Sequence, residues 1–494
     1  RYKQRQSVGC QVFYKCDKIR LQKQIKKQIT KEALSGPDRD VRMASTKIEE
    51  LTLRIEILLR GQAGLTAREM RERLDVPPAT LMRALREMPD LLRLGAGPRM
   101  QYALRDEARR HIEAPIFRVS PEGRVSQLGQ LVPLRPDGFV LIREGEPTRP
   151  SFHEGLPWWM NDMRPQGFIG RMFGRMYAQN LGLGTDIKEW TDTQVLQALL
   201  VHSGDSTGNL LVGQNAAQAF LSMPPSLPLQ EADKPTRYVE MAADALNGEA
   251  YGSSAGGEQP KFTAYVEFAG EPAHVLVKFS EAADNDITRR WRDLLCAEHL
   301  ALETLRANGV AAAQSHVYDF DGQRFLEVKR FDRVGERGRR AMFSLEGLTA
   351  EFSGKTDWIQ AAKALKEQKV IKPKASDGTE LLWAFGHLIG NTDMHLGNVS
   401  FISDTSRPYD LAPAYDVPPM CFAPRTGGGM SQNAPVFNFR AGVRWPVWKQ
   451  ALAMARQYME RLQADERLSE PFQPCINALG QHVHQAGQLI DNIG

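Results

Sequence analysis

The stretch HLIGNTDMHLGN, His387 to Asn398, sets the tightest condition on how this chain can fold. Ahead of its end, Leu381, Leu382, Phe385, Leu388 and Ile389 recur at helical spacing, so a helix carries an apolar stripe into a core. Gly390 suits the end of that helix, and two asparagines, an aspartate and a histidine follow directly. Polar groups delivered to the edge of a core must either satisfy one another in a capped turn or open onto a cleft, because burial without partners is costly. The continuation, VSFISDTSRPYDLAPAYDVPP, has strand-like residues at 399–402 and 409–412. Pairing them as a hairpin returns Asp416 to the end where Asn398 lies.

A chain of 494 residues exceeds one ordinary core, so two or three domains are expected. Apolar residues make up 42% and charged residues 25%, which places the chain with folded rather than disordered proteins. No run of 18 uncharged apolar residues occurs, and no membrane partner is expected. The five cysteines, Cys10, Cys16, Cys296, Cys421 and Cys475, form no CxxC pair and are odd in number; a cytoplasmic location fits them better than a disulfide framework. Residues 1–42 hold 12 Lys/Arg against 4 Asp/Glu, a charge of +8 in a chain whose total is +4, so the remainder is −4. The basic character therefore belongs to this stretch, read as a disordered tail or leader, with a basic arm on DNA as the other reading. It has no apolar segment of the export-signal kind.

Residues 43–106 read as three short helices and two strands. IEELTLRIEILL keeps helical spacing, Thr66 with Glu69 makes a capping box for a second helix, and Pro77–Pro78 precedes a third beginning near Ala79. LLRLGAGPRMQYALR then gives two strands about a Gly-Pro turn. Helix, helix, turn, helix, hairpin is the order of a winged helix-turn-helix. Arg83 and Arg86 lie on the presumed recognition helix and Arg93 and Arg99 on the wing, where they would meet DNA; such modules also serve as protein contacts. Residues 107–235 are mixed and Pro-rich. Trp158 and Trp159 are expected in a core, and Asp205 in HSGDSTGNLLVG as a turn residue.

Residues 236–494 carry the chemistry. YGSSAGGEQPKFTAYVEF places Ser253, Ser254, Ala255, Gly256 and Gly257 before an alternating strand, a composition whose backbone amides can approach phosphate oxygens. AHVLVKFS puts Lys278 on a strand, where an inward ammonium needs a carboxylate or anion, and Glu298 on the following helix can supply it. Asp393 and Asn398 stand five apart, the D-x-x-x-x-N spacing in which an aspartate takes the proton of a substrate hydroxyl and an asparagine reaches magnesium. Asp416 would add a second oxygen ligand for that ion. A zinc reading of His387, Asp393 and His395 carries less weight, because His387 falls within the helix pattern and reads as a core histidine with a partner.

GSSAGGEQPK, VLVKFS, FLEVKRFDR, HLIGNTDMHLGN and LAPAYDV, in this order over residues 115 to 480, resemble the HipA-like toxin kinases, a bacterial serine/threonine kinase family related to the phosphatidylinositol kinases. With a winged helix in front, the chain looks most like the YjjJ-type branch. The resemblance implies an α+β, bilobal kinase fold in which Asp393 is catalytic; His395 reads as a brace of that catalytic loop, as the histidine of kinase H-R-D loops is, although here it follows the aspartate. It implies Asn398 and Asp416 as magnesium ligands, Lys278 on the ATP phosphates, and Lys329, Arg330 and Phe331 as the hinge against adenine. Family members also phosphorylate a serine of the Gly-rich loop, which aligns best with Ser253. Position 397 is Gly where the type member has Lys.

The expected function is therefore an ATP- and Mg2+-dependent serine/threonine protein kinase that restrains growth, with a DNA-binding module in front. The resemblance implies an aminoacyl-tRNA synthetase as the class of protein substrate. An antitoxin partner is less expected here than for the type member, since this chain carries its own winged helix. Two other functions fit the same residues: a DNA-binding transcription regulator whose kinase-like body senses nucleotide, and a small-molecule kinase.

Overall fold

Thr66 caps a helix as its spacing to Glu69 predicts. Its hydroxyl accepts from the Glu69 amide at 3.2 Å, while the Glu69 carboxylate accepts from the Thr66 amide at 2.8 Å. The computed structural model describes residues 39–97, 100–143, 151–246, 259–404, 406–425 and 429–493. Its first unit contains α1 (Arg39–Gly61), β1 (Leu65–Thr66), α2 (Ala67–Leu74), α3 (Pro78–Arg86), β2 (Leu91–Leu94) and β3 (Gln101–Leu104). Helix α1 starts at Arg39, inside the stretch read as a tail; the rest of that stretch lies outside the described residues. Strands β2 and β3 pair from Leu91↔Leu104 to Leu94↔Gln101, and β1 joins β3 from the other side. Ile55, Leu59, Met70, Leu81, Leu85 and Tyr102 close the small core beneath them.

The second unit is a five-stranded antiparallel sheet, built from β4 (Ala114–Val119), β5 (Val125–Leu134), β6 (Gly138–Ile142), β7 (Ser151–His153) and, after two helices, β8 (Leu210–Val212). Those helices are α4 (Gly167–Tyr177) and α5 (Asp192–His202), and α6 (Gln214–Ser222) follows β8. One sheet face buries Ile116, Leu131 and Phe139 against Val195, Leu196 and Leu199 of α5. Val132, Leu134 and Val140 point the other way and pack on Leu94 and Ala103 of the first unit's hairpin. Both faces of the sheet are covered, which is why its sequence lacks clean alternation.

The third unit starts with α7 (Lys234–Leu246), β9 (Lys261–Phe268) and β10 (Glu271–Phe279). It continues through α8 (Asp286–Ala307), β11 (Ser315–Phe320) and β12 (Gln323–Lys329). The strands form an antiparallel sheet in the order β11-β12-β10-β9. Helix α8 serves two cores: Leu295 packs on Leu326 and Val328 of the sheet, whereas Leu300, Ala301 and Leu305 join the helical core beyond. Behind the sheet, Lys234 and Glu327 are both fully buried, 3.0 Å apart, and the Tyr238 hydroxyl also donates to Glu327. A buried pair of this kind survives only because each charge has its partner.

Beyond β12 come β13 (Arg333–Val334), β14 (Gly338–Arg339), β15 (Ala341–Ser344), α9 (Leu345–Phe352), α10 (Trp358–Glu367) and α11 (Pro373–Leu388). After them lie β16 (Ser400–Ser403), β17 (Asp410–Leu411), α12 (Trp445–Ala464) and α13 (Gln473–Ile493). Phe385, Leu388, Trp448, Leu452, Tyr458 and Leu479 fill the core of these helices; each such side chain contributes roughly 1.5–3 kcal/mol by leaving water. The anticipated hairpin is present, with Phe401↔Leu411 and Ile402↔Asp410 in register. Trp158 lies in the second unit's chain but packs between Phe343 and Phe352 of the third, at 5.2 and 5.1 Å, and so joins the two; Trp159 meets His153 edge-on. Among the described residues, no helix is long and apolar enough to cross a membrane.

Candidate functional site

Strand β10 aims Lys278 inward, and its side chain is only 6% exposed. The ammonium lies 2.8 Å from each carboxylate oxygen of Glu298, on α8, and 2.5 Å from Oδ1 of Asp416. Burial pushes the lysine's pKa down, but the Asp416 and Glu298 carboxylates outweigh it and hold the group above its ordinary value, so it stays charged. Burial likewise opposes ionisation of Asp416, yet Lys278 and then Lys261 bring it to about 2. Glu298 is raised because burial there prevails over the attraction of Lys278. The cluster is thus one cation shared by two carboxylates of unlike environment, and Asp416 is the more exposed of the two, at 32% against 3%.

Below this cluster the polar stretch after α11 folds on itself. Gly390 takes φ +73°, the left-handed conformation that ends the helix at small cost for a glycine. The Asn391 side-chain oxygen accepts from the Asp393 amide at 3.0 Å, and Asn398 Nδ2 donates to the Asp393 carbonyl at 2.6 Å. His395 Nδ1 accepts from the Gly397 amide at 3.1 Å, while its carbonyl accepts from Trp358 Nε1 at 3.0 Å. His395 therefore holds the loop's shape from within. The Tyr415 hydroxyl donates to the Gly397 carbonyl at 2.7 Å and tethers the loop to the segment that carries Asp416. Asp416 itself sits at φ +56°, a left-handed conformation that costs a non-glycine residue on the order of 1–3 kcal/mol and persists only where the surroundings impose it.

Both sets of residues face one cavity of about 770 Å³, lined by Lys261, Lys278, Glu298, Asp393, His395, Asn398 and Asp416. A second cavity of about 460 Å³ shares Gln166, Gly167 and Lys261 with it and has an apolar wall of Leu276, Val328, Phe331, Met342 and Tyr415. One end of the combined cleft is polar and suits phosphates and a cation, while the other suits a flat apolar group. Lys329, Arg330 and Phe331 all line the apolar end, with Phe331 at 5.6 Å from the Tyr415 ring. The Arg330 guanidinium is committed elsewhere: it meets Asp332 through Nε and Nη2, each at 3.0 Å, and Asp205 through Nη1 at 2.9 Å. Asn398 and Asp416 both line the polar cavity, where their oxygens could serve a divalent cation that prefers oxygen ligands.

Lys261 was missed by the sequence reading. It is the register partner of Lys278 on the neighbouring strand and faces both cavities; the signal available was its position as the first residue of the strand after the Gly-rich run. Gln166 and Gly167 belong to the second unit, and nothing local in their sequence indicates a cleft wall. Ser253, Ser254, Ala255, Gly256 and Gly257 lie outside the described residues, as does Arg99. Arg83 and Arg86 are exposed on α3, and Arg93 donates to the Leu85 carbonyl at 2.8 Å, at that helix's C-terminal end. His387 stacks on Trp383 at 5.1 Å as a core histidine with the Asn438 backbone as its hydrogen-bond partner, as expected, while its Nε2 is left without one.

Two family models match the chain: "YjjJ-like toxin, middle domain" over residues 110–221 and "HipA-like C-terminal domain" over residues 253–475. Toxin YjjJ of Escherichia coli (strain K12) is 37% identical over 451 residues, which span 90% of this chain and 100% of that protein. Among solved structures, a chain of the Shewanella oneidensis MR-1 toxin–antitoxin complex of HipA, HipB and operator DNA is similar with a TM-score of 0.52. That match has 14% identity and covers 77% of this chain and 99% of that one. The Helicobacter pylori proinflammatory kinase CtkA gives a TM-score of 0.34 at 15% identity, over 48% of this chain and 92% of that one.

Proposed function

The chain belongs to the HipA-like toxins of the YjjJ type, whose kinase fold it shares, and from that membership we propose that it is an ATP- and magnesium-dependent serine/threonine protein kinase. The observation that carries this reading is the meeting of Lys278, Glu298 and Asp416 over a cavity that also takes Asp393 and Asn398. These side chains come from β10, α8, the loop after α11 and the segment after β17, and phosphoryl transfer asks for that assembly: a fixed cation, oxygen ligands and a base.

In this reading ATP places its triphosphate along Lys278 and Lys261 and its base against Leu276, Phe331 and Tyr415. Magnesium, when bound, neutralises phosphate charge. Asn398 and Asp416 would hold it, the latter through the carboxylate oxygen not committed to Lys278. Asp393 accepts the proton of the substrate hydroxyl, and His395 and Tyr415 keep the loop in place. Glu298 orients Lys278. Ser253 is the proposed autophosphorylation site, an aminoacyl-tRNA synthetase the proposed class of substrate, and restraint of growth the outcome. Incubation of the protein with labelled ATP and cell extract is expected to place label on serine or threonine of protein. Label appearing only in small molecules would reject the protein-kinase reading.

We also propose that the first unit is a winged helix-turn-helix that binds DNA through α3. Arg83 and Arg86 are exposed there, whereas Leu81, Ala84 and Leu85 on the opposite face are buried, the division a groove-reading helix requires. The Arg83→Ala, Arg86→Ala double variant is expected to bind DNA more weakly and to reduce the slope of log affinity against log salt by about 2. An unchanged affinity and slope would remove α3 from the interface. The HipA–HipB–operator assembly of the structural relative makes an antitoxin partner a further proposal for this chain.

A further inference from the structure

The turn between α5 and β8, residues 203–209, belongs to the second unit but ends at the hinge of the third. Its shape is fixed locally. The buried Ser203 hydroxyl accepts from the Val212 amide at 3.0 Å, the Ser206 hydroxyl donates to the Ser203 carbonyl at 3.0 Å, and Gly208 takes φ +80°. Asn209 anchors the far side by donating to the Val119 carbonyl at 3.2 Å. The turn then meets the hinge with both charge and backbone. Asp205 Oδ1 lies 2.9 Å from Arg330 Nη1 and 3.0 Å from Arg333 Nη2, and its Oδ2 accepts from the Thr263 hydroxyl of β9 at 3.0 Å. Arg333 also donates to the carbonyls of Ser206, at 2.8 Å, and Gly208, at 3.0 Å, while the Gly208 amide donates to Asp332 at 3.1 Å.

One carboxylate from outside the kinase-like unit thus bridges the hinge and the edge strand of the sheet, the two walls between which the apolar cavity opens. The side chain of Asp205 is 56% exposed, and Asp205, Ser206 and Thr207 line that cavity beside Thr263 and Phe331. Two guanidiniums, Arg330 and Arg333, pair with two carboxylates, Asp332 and Asp205, while a third, the buried Arg339, donates to the Gly204 carbonyl and feels the charge of all four, so the cluster already holds one cation more than it has carboxylates. Without Asp205 the excess would rise to two cations, and Arg330, flanked by the cavity residues Lys329 and Phe331, would lose the contact that fixes its Nη1 end.

We propose that Asp205 is a positioning residue for nucleotide binding: by joining Arg330 and Arg333 to Thr263 it sets the width of the base-side cavity, and so makes the second unit an integral part of the ATP site. This rests on the kinase reading above. It differs from a purely structural role in what it predicts, since loss of the clamp should weaken capture of ATP more than the transfer step, whose residues Asp205 does not touch.

The test compares full-length wild type with Asp205→Asn, which keeps volume and removes charge, and with Asp106→Asn. The latter loses a carboxylate that holds Arg109 at 2.7 Å, among residues that take no part in either cavity. Asp205→Asn is expected to raise KM for MgATP about tenfold with kcat within about twofold of wild type, the pattern of lost binding rather than lost transition-state stabilisation. Asp106→Asn should lower the melting temperature and leave KM in place. An unchanged KM in Asp205→Asn, or an equal rise in both variants, would overturn the proposal. Should Asp205→Asn not fold, Thr263→Val removes only the strand contact: a KM raised about threefold supports the clamp, and an unchanged one overturns it. Failure of the wild type to bind MgATP at all would sink the kinase reading and this inference with it, an outcome distinct from normal binding with an indifferent Asp205.

Discussion

Asp393→Asn will bind MgATP as the wild type does and transfer phosphate about 10²- to 10⁴-fold more slowly, the range expected when a positioned proton acceptor is removed. The substitution conserves shape. The backbone bonds that hold this position, from the Asp393 amide to Asn391 and from Asn398 to the Asp393 carbonyl, do not involve the altered atom. The residue is exposed in the cavity, so no charge is stranded in a core. Lys278 and Asp416 keep their own 2.5 Å contact, and the phosphate end of the cleft is unaltered. What disappears is the basic oxygen next to the place where a hydroxyl would enter. Single-turnover transfer from labelled ATP, together with nucleotide affinity by calorimetry, separates the two effects. Transfer within a few-fold of wild type would show that Asp393 is not the acceptor, whereas a collapse of affinity would show that it acts on the nucleotide.

The parts of the fold and of this site that are legible in the sequence are those whose geometry follows from short-range rules. The Thr66–Glu69 box is one turn of helix, and the β16–β17 pairing that returns Asp416 needs only two strand-like runs and a turn. Lys278 and Glu298 are twenty residues apart, on a strand and the helix after it, a distance over which a connection seldom leaves the neighbourhood. Where physical cues are weaker, the sequence shows less of the structure. Strand β5 buries Leu131, Val132, Pro133 and Leu134 in succession because both faces of its sheet are covered, so the alternation that identifies a half-buried strand is missing there. Strand β1 has two residues and exists only because β3 offers it an edge. Asp205 reads as a turn residue because it is one; its partners Arg330 and Arg333 lie 125 and 128 residues onward, and only the docking of two units brings them to it.

Asp332→Ala will lower the unfolding free energy by roughly 3–5 kcal/mol, the usual consequence of removing one member of a buried charge cluster. Asp332 is 5% exposed and accepts from Arg330 twice, from Arg333 Nη1 at 2.6 Å and from the Gly208 amide at 3.1 Å. Alanine leaves two buried guanidiniums to share Asp205, already engaged by both, and a backbone donor with no acceptor. Asp332→Asn should fall between alanine and wild type, since the amide retains one acceptor oxygen but no charge. The pH dependence has a definite sign. Burial alone would raise the Asp332 pKa, but Arg330 and Arg333 outweigh it and hold the carboxyl well below the usual carboxylate range. Its contribution is therefore fully present above the ordinary value of about 4 and is lost progressively as the pH falls below that. Urea midpoints of wild type and Asp332→Ala should differ most near neutral pH and converge in acid. A difference under about 1 kcal/mol at neutral pH, or one that widened on acidification, would mean that the cluster does not hold the second and third units together through Asp332.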